Sequence, residues 1–227
     1  VRDEMVITSK IGEDLTNPNS RAMRPHELHE DINETLSRIG YDYIEFALLH
    51  IDDPDIPVES ILDTMEEIRQ AGKILYYGCS NWSVERMTEA DSIAKKKGYK
   101  GFCMNEIEMN LARRSIPNKD RSTKWLDESF AAYHRKTQMA VGAYSPLAAG
   151  ALTKMMEEDG IERLSQYGRT AYLTPYNMEI ARRLAALASE TGYTGAQLQI
   201  AWLLSQPYGF PVFPIIGPRT PEQLIDC

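Results

Sequence analysis

Short apolar runs alternate with amphipathic stretches along the whole chain, and that alternation narrows the fold more than any other feature. The runs are Met5–Ser9, Tyr43–Leu49, Ile74–Cys79, Phe102–Asn105, Met139–Ala143 and Phe213–Ile216, with Gly, Pro, Asp or Asn close by, and each reads as a strand. The stretches between them repeat near a helical period. Leu28, Ile32, Leu36 and Ile39 share one face, stopped by Gly40; Ile61, Leu62, Met65 and Ile68 share another, stopped by Gly72. Ser83 caps a helix that ends at Gly98, and Trp125, Ser129, Ala132 and Tyr133 mark a fourth. Thr174-Pro175 places an N-cap before a first-turn proline and opens a helix to about Glu190. Thr194 with Gln197 forms a capping box for the next, which stops at Pro207.

Strand and helix in strict alternation imply α/β architecture, a parallel sheet with right-handed crossovers. An open doubly wound sheet and a closed (β/α)8 TIM barrel both satisfy that pattern. The placement of polar residues separates them. Lys10, His50, Ser80-Asn81, Glu106, Tyr144-Ser145 and Gly217 to Arg219 all fall after a strand's carboxyl end. In a barrel those ends form one ring, the active-site face, whereas an open sheet gathers them at one crevice. Polar residues after every strand favour the barrel, and no GxGxxG follows any strand. The stretch from Ser145 to Tyr172, rich in Gly, Met and acidic residues, is expected to be irregular and to act as a lid.

With 43% hydrophobic and 26% charged residues, residues 1–227 are expected to form a single globular domain. The net charge of −8 argues against a nucleic-acid partner, and the one basic run, Lys95 to Lys97, reads as a solvated helix terminus. Cys79, Cys103 and Cys227 show neither disulfide nor zinc spacing, so no metal is expected, and the first two read as inert core thiols. No apolar stretch is long enough to span a bilayer, and a cytoplasmic location is expected.

Lys10 at a strand top either snorkels or tunes a phenol's proton affinity. His50 closes the apolar run YIEFALLH and is either a core histidine or a group facing a substrate mouth. Ser80 and Asn81 in YYGCSNWS could cap the next helix, although Ser83 already does so; an amide there can hydrogen-bond a carboxamide. Trp82 is an apolar wall for substrate or plain packing. Tyr144 in AYSPLAAG offers a ring that could stack on a planar heterocycle. In PIIGPRTPEQL, Gly217 and Arg219 precede a helix that Thr220-Pro221 opens with Gln223 at the capping-box position, a candidate anion site with Arg219 placed for phosphate.

Taken in order, ITSK, YIEFALLH, AGKILYYGCSNWS, AYSPLAAG and PIIGPRTPEQL resemble the aldo-keto reductase family over essentially the whole chain. The resemblance implies a (β/α)8 barrel that binds NADP(H) and passes hydride to or from a carbonyl or alcohol carbon of a small-molecule substrate. By it, Lys10 matches the catalytic lysine and His50 the histidine that orients the carbonyl. Ser80 and Asn81 match the pair holding the carboxamide, and Tyr144 the ring stacked on nicotinamide. Ser145 and Leu147 match positions along the pyrophosphate, and Gly217, Arg219 and Gln223 the adenosine-phosphate pocket, the arginine favouring NADP over NAD. Glu106 stands where the family usually has Gln, and Cys227 where it commonly has Asn.

The family's catalytic aspartate and tyrosine belong to two βα units ahead of the lysine strand, and only six strands are visible where the barrel needs eight. Further chain upstream is therefore expected, with the segment by itself inactive; a short protein that pairs through its open edges is the alternative. The competing functional reading is a non-catalytic nucleotide-binding subunit with a regulatory or partner-binding role.

Overall fold

A computed structural model describes residues 2–13, 21–115 and 123–227. The chain divides into two compact units, residues 1–106 with 127–141 and residues 107–126 with 142–227.

In the first, β1 (Thr8–Ile11), α1 (Pro25–Ile39), β2 (Ile44–Leu49), α2 (Val58–Gln70), β3 (Ile74–Ser80), α3 (Val84–Lys97) and β4 (Phe102–Glu108) follow one another, and α4 (Glu128–Thr137) leads into β5 (Ala140–Tyr144). The unit boundaries fall inside β4 and β5. Helix ends use the chemistry the sequence offers. Gly40, at φ 72°, closes α1 by returning its N–H to Leu36. Ser83 Oγ accepts the Arg86 N–H at the start of α3, and Asp127 caps α4. Leu28, Ile32 and Leu36 of α1 and Ile61, Leu62, Met65 and Ile68 of α2 are buried. Each such side chain contributes about 1.5–3 kcal/mol of transfer free energy. Lys97 departs from the solvated-terminus reading of the basic run. Its Nζ lies 2.6 Å from Glu59 and 2.7 Å from Asp63, so it ties α3 to α2.

Strands β1, β2, β3 and β4 pair in parallel. Strand order in the sheet is chain order from β1 to β6 (Val212–Ile215), with no reversal among the described strands. A doubly wound sheet reverses its order at a switch point; this one does not. The chain is an α/β protein whose strands and alternating helices are consistent with part of a (β/α)8 barrel.

Two boundaries differ from the sequence reading in ways that matter for the site. β1 begins at Thr8, not Met5, because the Ile7 N–H is taken by the Glu45 carboxylate at 2.7 Å and Val6 is 68% exposed. β4 continues to Glu108, because Asn105 and Glu106 stay in register with Cys79 and Ser80. Lys10, Ser80 and Glu106 thus lie within the last residues of their strands, while His50 follows its own.

In the second unit, α5 (Ala151–Met155), α6 (Gln166–Tyr172), α7 (Pro175–Thr191), α8 (Gly195–Ser205) and α9 (Pro221–Asp226) accompany β6. Thr174, Thr194 and Thr220 each cap the helix that follows, Thr194 with Gln197 in a capping box. The stretch 145–172 is irregular only in part. That stretch holds α5, α6 and a 3-10 turn, and buries Ala148, Ala151, Leu164, Ala171 and Tyr172 in one cluster. Its alanines and Tyr172 find more stabilisation packed than they would in a solvated loop.

Candidate active site

Side chains of a strand alternate between faces, and in-register partners on neighbouring strands share a face. Lys10 pairs with Leu48, and Leu48 with Gly78. Two residues further on, His50 and Ser80 project to that same face, and Ser80 pairs with Glu106. The register alone therefore brings Lys10, His50, Ser80 and Glu106 to one face at the carboxyl ends of β1–β4. Gly78 is required there: a Cβ would sit 2.3 Å from the Met104 carbonyl oxygen and 2.7 Å from Leu48 Cδ2.

Lys10 Nζ lies 2.5 Å from Glu106 Oε2; the Glu106 side chain is 3% exposed and that of Lys10 36%. The contact is an ion pair between a nearly buried carboxylate and a partly exposed ammonium. Around it the backbone is fully used. Ser80 Oγ donates to the Glu106 carbonyl at 3.1 Å, the Asn81 N–H donates to the same oxygen at 3.0 Å, and Asn81 Nδ2 donates to Ser80 Oγ at 2.9 Å. Asn81 sits at φ 60°, a left-handed conformation that asparagine tolerates better than most residues. A buried acceptor with capacity to spare, beside a hydroxyl and an amide, suits a ligand that both donates and accepts, as a primary carboxamide does.

His50 Nδ1 is paired with the Glu13 carboxylate. A carboxylate only accepts, so Nδ1 carries the proton and Nε2 is left for another partner. Glu13 was not singled out from the sequence; the available signal was an acidic residue just past Gly12, which turns the chain at φ 86° with its N–H held by Asp31 at 2.8 Å. Trp82 is fully buried, its ring edge-on to Phe102 at 5.0 Å with the Arg86 guanidinium 5.3 Å from its centroid. That burial is what the packing reading of Trp82 expects. Burial drives both strand thiols upward, Cys103 to about 11, which suits inert groups.

In the second unit, Tyr144 ends β5 half-buried, its phenol pushed up by burial and by the Glu108 carboxylate. Ser145 follows at φ 53°, and its carbonyl accepts the Ala148 N–H at 2.9 Å, making the turn that carries Leu147. Glu108 anchors a cluster the sequence reading missed: it accepts from Tyr172 and Asn110 and pairs with Arg114 at 3.1 Å. A cavity of about 640 Å³ opens beside it, with Trp125, Trp202 and Tyr208 in its lining. Gly217, Arg219 and Gln223 are exposed. Gln223 Oε1 accepts the Arg219 N–H at 2.7 Å, so the Gln side chain pins Arg219's backbone and leaves the guanidinium to solvent. α9 has six residues.

The model of the aldo/keto reductase family matches residues 1–227. A putative voltage-gated potassium channel subunit beta of Schizosaccharomyces pombe is 28% identical over 236 aligned positions, covering 99% of this chain and 65% of the relative. The L-glyceraldehyde 3-phosphate reductase of Escherichia coli K12 is 27% identical over 235, covering 98% and 64%. Aldo-keto reductase YhdN of Bacillus subtilis is 27% identical over 237, again covering 98% and 64%. The chain thus spans just under two thirds of the length of these curated relatives. The match of the family model from end to end, over a sheet that carries the expected polar groups on one face of its first four strands, establishes that the chain belongs to the aldo/keto reductase family.

Proposed function

We propose that the protein transfers hydride between NADP(H) and an aldehyde, ketone or alcohol, with residues 1–227 acting as one barrel domain in the cytoplasm. The observation that carries this reading is the convergence of Lys10, His50, Ser80 and Glu106 on one sheet face, with the buried Glu106 carboxylate ion-paired to Lys10. NADP(H) supplies the hydride; the protein supplies position and charge. Ser80, Asn81 and Glu106 hold the carboxamide. Lys10 biases the proton affinity of a neighbouring phenol, and His50, steadied through Nδ1 by Glu13, presents Nε2 to the carbonyl oxygen. Tyr144 offers its ring to the nicotinamide, Ser145 and Leu147 border the pyrophosphate, and Gly217, Arg219 and Gln223 take the adenosine phosphate. The reductase among the relatives supports carbonyl chemistry.

A second reading, a nucleotide-binding subunit that regulates or binds a partner without turnover, is favoured by the channel-subunit names among the relatives. Among the described helices none is long and apolar enough to cross a membrane.

One titration separates the two. NADPH is added to the full-length protein while tryptophan emission is followed, then small aldehydes and ketones are added while nicotinamide absorbance is followed. Saturable quenching with substrate-dependent loss of NADPH is the expected result. Quenching without turnover selects the subunit reading, and no quenching rejects both.

A further inference from the structure

On the nicotinamide reading proposed above, we infer that Glu106 decides which redox state of the nucleotide the site prefers, by cancelling the Lys10 cation beside it. The oxidised ring carries one positive charge that the reduced ring lacks, while the carboxamide on both has the same donors and acceptor. Shape and hydrogen bonds at the carboxamide therefore cannot tell the two states apart; a fixed charge can. Lys10 alone would set a cation against the oxidised ring. Glu106 places a carboxylate 2.5 Å from that ammonium, at 3% exposure, where salt screens weakly. A glutamine there would keep the size and an accepting oxygen but lose the charge. A carboxylate has about four lone-pair sites and the one ammonium does not fill them, so acceptor capacity remains for the carboxamide N–H.

Binding and redox are linked: whatever factor tightens the oxidised nucleotide relative to the reduced one makes hydride loss from the bound reduced form more favourable by that same factor. Glu106 thus acts as a specificity-determining residue that leans the site toward carbonyl reduction.

The test is the ratio of dissociation constants for NADP⁺ and NADPH, measured by calorimetry on the full-length protein and its Glu106→Gln, Glu106→Asp and Lys10→Met variants. Glu106→Gln is expected to raise the NADP⁺/NADPH ratio of dissociation constants roughly tenfold, the lower end of what one adjacent charge does to an ionisation equilibrium. Glu106→Asp, which keeps the charge, should stay near the parent ratio. Lys10→Met should move it the other way. An unchanged ratio in Glu106→Gln, including equal weakening of both nucleotides, overturns the inference, as does an equal shift in Glu106→Gln and Glu106→Asp. Should Glu106→Gln fail to fold, an unmoved ratio in Lys10→Met overturns it. If the parent protein binds neither nucleotide, it is the nicotinamide reading itself that falls.

Discussion

Strands β2 and β6 are built from the same kinds of residue and end in opposite environments. In β2, Ala47, Leu48 and Leu49 are 0% exposed, with a hydrogen-bonded strand on either side. In β6, the last strand in the order, Phe213 is 56% and Ile215 39% exposed. Apolar sequence is the same signal in both cases; neighbours on both sides and helices on the face decide burial. The polar residues at the strand ends divide along the same line. Those on β1–β4 are locked to protein partners, Lys10 to Glu106 and His50 to Glu13. Gly217 and Arg219, after β6, stand in solvent. Strand-end polar groups in the first unit are paired within the protein, and those after β6 are exposed.

The largest effect tests that contrast directly. Leu48→Ala removes a fully buried side chain and should cost about 2–5 kcal/mol in urea unfolding. Phe213→Ala, although it deletes more carbon, should fall within about 0.5 kcal/mol, as surface substitutions do. A Phe213→Ala cost as large as that of Leu48→Ala would show that β6 is covered in the folded protein in solution, and the comparison would break.

The same contrast explains what the sequence reveals and what it hides. Helix ends were legible because their chemistry is local: Ser83, Thr174, Thr194 and Gly40 act within four residues of themselves. The alternation of elements gave the class, and the strand-end polar groups named the candidate site. The pairing of Lys10 with Glu106 was not legible, since it depends on parallel registers joining residues 96 positions apart. The helices within 145–172 were not legible for a related reason. Short helices such as α5 and α6 carry little periodic signal, and they are held by a shared buried cluster rather than by propensity. Glu13 was overlooked because a single acid past a glycine looks like surface.

A middle-sized effect sharpens the open side of the comparison. Arg219 is exposed and its guanidinium is unspent on Gln223, whose side chain goes to the Arg219 backbone. If it reads the adenosine phosphate, Arg219→Ala should weaken NADP(H) by about 1.5–3 kcal/mol, the range for a charge-assisted hydrogen bond, and leave NAD(H) nearly untouched. Calorimetric titration of both nucleotides checks this; equal losses would deny Arg219 that role without disturbing the first unit's chemistry.

The gentlest probe addresses the locked side. His134 of α4 is 0% exposed, with Nδ1 2.9 Å from the Met139 carbonyl oxygen and Nε2 3.3 Å from Asn105 Nδ2. A carbonyl oxygen can only accept, so Nδ1 carries the proton; Nε2 then receives the Asn105 amide, and the ring is neutral. Protonation would set a second N–H against that amide. Burial depresses the imidazole below its ordinary value of 6.5, with the Met139 contact pulling weakly the other way. The unfolded chain therefore takes up a proton near 6.5 that the folded chain refuses. Stability from this ring is complete above that pH and declines as pH falls through 6.5 toward the depressed folded value. Urea midpoints measured from about pH 8 to 5 should drop on the acid side in the parent and more shallowly in His134→Gln. The variant should be less stable near neutrality, having lost the bridge. Asp31 and Asp91, whose carboxyls burial raises, titrate in both proteins, so the difference between the two curves isolates His134. Parallel curves would mean the ring protonates in place, and that the first unit's polar core is less rigidly committed than its hydrogen bonds imply.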